Sequence, residues 1–163
     1  MKGLIKKGEL VEDSYLDVAS SDTIPDVGSI IVSLEQWQAH RGQLRHREDP
    51  IGLRLKSDQS PDAVAEDVDT FALIALEFPA FRDGRAYSYA RILREHYGFT
   101  GELRAVGDVL MEQLHFMLRV GFDAFELDAD DPVGAYRAAL EDFSVWYQPT
   151  GDGRPTAIQL RHR

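Results

Sequence analysis

FALIALEFPAFRDGRAYSYARILREHYGFTGELRAVGD, residues 71 to 108, decides how this chain is read. An unbroken apolar run (71–76) ends in Glu77, a polar loop follows, and apolar residues then recur at helical spacing until Gly98. A second short apolar run, 101–108, closes the unit. A continuous apolar run of this length is a strand buried on both faces, and a helix of about four turns is long enough to cross back over the sheet. The stretch is therefore a βαβ unit with parallel strands and a right-handed connection.

Working outward, the pattern repeats. IGLRLKS (51–57) reads as a strand and SPDAVAEDVDT as a helix with a Ser-Pro start. VLMEQLHFMLRVG reads as a helix ended by Gly121, FDAFELD (122–128) as a strand, and DPVGAYRAALEDF as a helix. Four consecutive βα units with no sign of a strand-order reversal predict an α/β fold resembling half of a TIM barrel; an open sheet with helices on both faces is the alternative. Residues 50–148 form this core. Residues 1–49 read as a small αβ extension packed on it, with GELVEDSYL an exposed strand and SIIVSLEQWQAHRGQL a buried strand running into a helix. SVWYQ (144–148) adds a strand, and 149–163 are a turn and tail. Half a barrel leaves edges and one face to cover, a task for the N-terminal unit or a second copy of the chain.

The 163 residues carry 18 Lys plus Arg against 28 Asp plus Glu, a net charge of −10, which disfavours nucleic acid and anionic membrane as partners. No run approaches the roughly 20 apolar residues that span a bilayer, and the start lacks a signal-peptide core, so the expected location is the cytoplasm. There is no cysteine, which removes disulfides, thiolate nucleophiles and thiolate metal sites. No intrinsic cofactor is implied.

Ligands of such folds bind where the βα loops gather at the carboxyl ends of the strands. The loop from Glu77 to Ser88 suits an anion. Arg82 and Arg85 supply planar forks, the amides after Gly84 are free donors, and Tyr87 and Ser88 carry hydroxyls. Tyr87, Arg91 and Arg94 share one helical face. Between 82 and 104 five arginines stand against three acids, whereas 108–142 holds nine acids and two arginines. The bland alternative is that Asp83 caps the helix, Arg91 pairs with Glu95, and the rest is solvated surface. The aromatics Phe78, Phe81, Tyr87, Tyr89 and Tyr97 read as helix-to-sheet packing. Asp108 reads as the cap of the helix beginning at Val109. On that helix Asp108, Glu112, His115 and Arg119 form the solvent stripe, and Gln113 lies at the boundary, where an amide needs a partner. Glu77, Asp108 and Asp128 end three strands and offer an alternative Mg2+ site. Glu112-x-x-His115 lacks the partner motif of a di-iron bundle, and no P-loop, Ser-His-Asp or G-x-G-x-x-G pattern is present.

The motifs DGR-x-YS-x-AR-x-LR, GELRA-x-GDV and GFDAF, within residues 81–125, resemble the signature block of the bacterial family DUF934; weaker resemblance runs from about Pro50 to Gln148. Members are labelled oxidoreductases of sulfite reduction because their genes accompany those of assimilatory sulfite reductase. The resemblance implies a pathway more than a reaction, with sulfite reductase as a partner. Arg82, Arg85, Tyr87, Ser88, Arg91, Arg94, Arg104, Asp108 and Gln113 fall on motif positions. Many members carry a cysteine where this chain has Val120, so that thiol is not essential to a shared chemistry. The expected function is an accessory protein of sulfite or sulfate reduction that binds an oxyanion or phosphate-bearing ligand. A half-barrel enzyme using Glu77 or Asp108, or a non-catalytic assembly factor that dimerises or docks through an open edge, are the alternatives.

Overall fold

The computed structural model describes residues 2–141 together with the helical positions Ala157 and Arg161. The strand expected at 144–148, and most of the expected turn and tail, lie outside the described residues. Eight strands form one sheet: β1 (Lys2–Lys6), β2 (Glu9–Val11), β3 (Leu16–Asp17), β4 (Ile30–Ser33), β5 (Ile51–Leu55), β6 (Leu73–Phe78), β7 (Glu102–Gly107) and β8 (Ala124–Asp128). Their spatial order is β2-β1-β8-β7-β6-β5-β4-β3. From β3 to β8 every neighbour is parallel and sequential, while β1 pairs antiparallel with both β8 and β2.

Sequential parallel strands joined by right-handed crossovers place every helix on the same side of the sheet. Accordingly Trp37 of α1 (Leu34–Leu44), Ala86 and Ala90 of α2 (Arg85–Arg91), Leu114 and Met117 of α3 (Leu114–Val120), and Tyr136 of α4 (Pro132–Glu141) share one core with Ile74, Leu76, Leu103 and Phe125 of the strands. Helix α1 begins with a capping box. Ser33 Oγ accepts from the Gln36 amide at 3.1 Å, and Gln36 Oε1 accepts from the Ser33 amide at 2.8 Å.

The sheet must curl strongly, because β2 and β3 occupy its opposite edges yet are adjacent in sequence. From Val11 to Leu16 the chain takes five steps and reaches at most about 18 Å. Seven interstrand gaps laid flat would separate those edges by roughly 34 Å. Residues 12–15 therefore span the mouth of a half-barrel, across the face opposite helices α1 to α4. The N-terminal unit does the covering: β1 closes the β8 edge, β3 and β4 extend the β5 edge, and Tyr15 packs on the inner residues Ile31, Leu73, Ala75 and Val106.

Three local expectations need correction. SPDAVAEDVDT forms two short 3-10 turns, Pro61–Val64 and Val68–Thr70, in place of a helix. At the break, the buried Asp67 carboxylate accepts from Trp37 Nε1 (3.2 Å) and Arg41 (2.8 Å), a tertiary pairing that overrides local propensity. Lys2–Lys6, unassigned in the sequence reading, is a strand. Asp108 caps nothing: the segment after β7 turns first as a 3-10 turn at Met111–Gln113 and then as α3, neither with a side-chain cap. That tighter first turn shifts the helical phase, and α3 packs between α2 and α4, so His115 and Arg119 are buried; of the expected solvent stripe only Asp108 and Glu112 are exposed.

Candidate functional site

The β6–α2 loop stands at the carboxyl end of the sheet's middle, as expected. Gly84 occupies the position before the helix and offers no side-chain cap. Asp83 turns back instead: its Oδ1 accepts from the Arg85 amide (3.2 Å) and Arg85 Nε (3.0 Å), and its Oδ2 accepts from Arg85 Nη2 (2.7 Å). Arg85 Nη2 also donates to Ser57 Oγ at 3.0 Å, and Tyr89 donates to the Ser57 carbonyl at 2.9 Å, so the loops after β5 and β6 are stitched together. The Arg85 guanidinium, followed by the Ser57 hydroxyl, holds the Asp83 carboxyl well below the usual carboxylate range. Arg85 remains 55% exposed, and Arg82 and Ser88 on the same segment are exposed. The cluster is a planar cation and a helix amide already gripping a carboxylate, beside a hydroxyl.

The other motif residues disperse. Tyr87 turns inward, edge-on to Phe78 with ring centroids 5.2 Å apart, and burial pushes its hydroxyl up to about 12. Tyr89 and Tyr97 also pack on the core, whereas Phe81 is exposed. Arg91 pairs with Glu95 at 3.4 Å. Arg94 leaves the expected polar stripe and donates to three carbonyls, those of Phe99 (2.7 Å), Gly101 (2.8 Å) and Gly121 (3.0 Å). Arg104 lies on the inner face, 1% exposed, far from the carboxyl-end loop in role. The Gln113 Oε1 is buried and accepts no hydrogen bond among the described residues. Asp108 is exposed, its amide donating to the Phe78 carbonyl at 2.7 Å. The alternative Mg2+ site is not assembled. Glu77 faces Arg54 at 3.5 Å, and among the described residues no three His, Cys, Asp or Glu side chains group to hold a metal.

The inner face is what sequence reasoning missed. Arg54, Ala75, Arg104, Ala124 and Lys6 lie in register across β5, β6, β7, β8 and β1. Arg104 binds Asp13 through Nη1 (2.6 Å) and Nη2 (3.2 Å) and Glu102 through Nε (2.8 Å); Lys6 reaches Glu102 at 2.6 Å, and Arg54 reaches Asp17 at 2.7 Å. Glu126 stands half-buried on the same face. The alternation of charge within IGLRL and GELRAVG was the available signal, since every second residue of a strand shares a face.

The fold and this cluster define an α/β half-barrel protein with a polar inner face and an Arg-Asp-Ser cluster on its carboxyl-end rim. The chain belongs to the family described as bacterial protein of unknown function, DUF934, whose model matches residues 52–158. That span opens in β5 and takes in the whole candidate rim. Comparison with curated proteins gave no match. Among the described residues no helix is long and apolar enough to cross a membrane.

Proposed function

We propose that this protein is a cytoplasmic accessory factor of assimilatory sulfite or sulfate reduction that binds a small oxyanion, or the phosphate of a larger ligand, at the carboxyl-end rim and docks on sulfite reductase. The observation that carries the anion site is the grip on Asp83. Two guanidinium nitrogens and the first amide of α2 already hold a carboxylate at 2.7–3.2 Å, with Ser57 Oγ on the same nitrogen. Arg85 is the primary ligand, and Arg82 and Ser88 are the exposed groups placed to add contacts. Arg94 serves the fold, Arg104 lies on the inner face away from this cluster, and Tyr87 packs on Phe78. The sulfur-assimilation context rests on the family resemblance.

The test is thermal unfolding in sulfate and sulfite against chloride at matched ionic strength. At tenfold excess over Kd, binding to the folded state adds about 1.4 kcal/mol, a Tm rise of roughly 3–6 °C for a chain this size. Arg85→Ala should abolish the rise, and Asp83→Asn should enlarge it by removing the internal competitor. An undiminished rise in Arg85→Ala would refute the site.

A further inference from the structure

Residues 13–17 follow an inward-outward alternation that the fold of the core does not require. The side chains of Asp13, Tyr15 and Asp17 reach the sheet, the two acids remaining 34% and 37% exposed; Ser14 and Leu16 face solvent, Leu16 at 58% exposure. Each inward residue meets a matching patch. Asp13 is held by both Nη atoms of Arg104, Tyr15 sits on Ile31, Leu73, Ala75 and Val106, and Asp17 takes Arg54. The Arg104 guanidinium also lies 6.0 Å from the Tyr15 ring centroid. Arg54 and Arg104 are in register with Ala75 between them, so their backbones stand about 10 Å apart across two strands.

The attachment is by side chains. Among the described residues, positions 12–15 make no backbone-to-backbone hydrogen bond; the Tyr15 amide donates to Asp13 Oδ1, and the backbone resumes pairing at Leu16. A half-barrel closed only for stability would do at least as well with apolar residues here, because buried ion pairs rarely outperform a packed apolar core. Arg104 takes Glu102 of its own strand through Nε, which leaves both Nη atoms for a carboxylate from elsewhere, and a surface strap delivers it. Glu126 adds a half-buried carboxylate to the same face, with no ion pair among the described residues, and competes with the strap's own acids for the attraction of Arg104 and Arg54.

We propose that the inner face is a recognition site for an acidic-x-aromatic-x-acidic segment of a partner protein, held shut by the chain's own Asp13-x-Tyr15-x-Asp17. The bidentate Arg104 fork reads the first acid, the apolar patch reads the aromatic ring, and Arg54 reads the second acid. A tethered strap competes at an effective concentration of order millimolar, so a partner segment enters only when it binds more tightly or when the strap is weakened.

The experiment titrates a labelled peptide of residues 10–19, LVEDSYLDVA, into the full-length chain and into full-length Asp13→Asn/Asp17→Asn. The native chain should need millimolar peptide, and the double variant should bind at least tenfold more tightly. Binding should weaken with Arg54→Gln and with a peptide carrying Asn at both acidic positions. A folded double variant that binds no better than the native chain, or that does not distinguish the Asn peptide, overturns the proposal. A dimer of the double variant that grows with protein concentration and ignores peptide also overturns it, in favour of strap exchange between copies. Should the double variant not fold, fluorotyrosine labelling of the native chain decides: millimolar peptide should move the Tyr15 resonance, assigned by Tyr15→Phe, and an unmoved resonance refutes the site.

Discussion

Replacing Arg94 by Met removes the guanidinium and keeps most of the aliphatic stem, which isolates what the charged fork does. Three carbonyls lose their donor at once: Phe99 and Gly101 in the turn before β7, and Gly121 at the end of α3. Burial pulls the Arg94 guanidinium below its ordinary value, with Asp123 opposing at 3.5 Å, yet it stays charged at any ordinary pH. A hydrogen bond to a charged donor is worth about 1.5–3 kcal/mol, so three would amount to roughly 5–9 kcal/mol if none were replaced. The side chain is 21% exposed and Gly101 and Gly121, unlike the buried Phe99, are partly open to water, which reduces the expected loss to about 2–4 kcal/mol. Urea unfolding followed by far-ultraviolet circular dichroism should show a lowered midpoint at unchanged slope, and Tm should fall by roughly 5–15 °C. Arg94→Lys should recover little, because one ammonium cannot reproduce the planar fork toward three acceptors. A loss below about 0.5 kcal/mol for Met, or full stability for Lys, would refute the staple.

Two further outcomes follow from the geometry. Burial raises the Glu126 carboxyl above its ordinary value, with Arg104, Arg54 and Lys2 pulling the other way. A raised folded-state pKa means the native chain binds that proton more tightly than the unfolded one, so ionisation costs stability as pH rises through the folded value, and the cost vanishes below the unfolded value. Glu126→Gln should therefore stabilise by a few tenths to about 1 kcal/mol near pH 7 and show no gain near pH 3.5; equal effects at both pH values would contradict the assignment. Gly107 has φ +93, and a Cβ there would lie 2.5 Å from the Phe78 carbonyl oxygen. Gly107→Ala should cost at least about 2 kcal/mol in chemical unfolding, and a neutral result would mean that the β6–β7 exit is not packed as described.

Much of the architecture was legible because buried parallel strands and their crossover helices write strong local patterns. The runs 51–57, 71–77, 101–108 and 122–128 each became a strand, and the lack of an order reversal became the sequential β3-to-β8 sheet. Lys2–Lys6 escaped notice since only Leu4 and Ile5 are apolar in it, and its strand character comes from pairing with β8, more than a hundred residues away. His115 and Arg119 were misplaced because a helical wheel assumes one constant turn, and the 3-10 start at Met111 broke the phase.

The rim shows the same division. The loop 77–88 was recognised as the carboxyl-end loop from its place after a buried strand, and Arg85 does stand there, but its grip on Asp83 and Ser57 belongs to the folded chain alone. Spacing lists arginines without saying which will find carbonyls, which a carboxylate and which water. Local sequence therefore determined the strands, the helix order, the parallel direction and the position of the rim, all of which depend on patterns a few residues long. Tertiary structure decided that the sheet curls, that β1 and the 12–17 strap close it, that Arg94 staples three carbonyls and that Arg104 meets Asp13. Those outcomes rest on contacts between residues far apart in sequence, such as Lys2 with Asp128 and Asp13 with Arg104, and no local pattern encodes which partner a buried charge will meet.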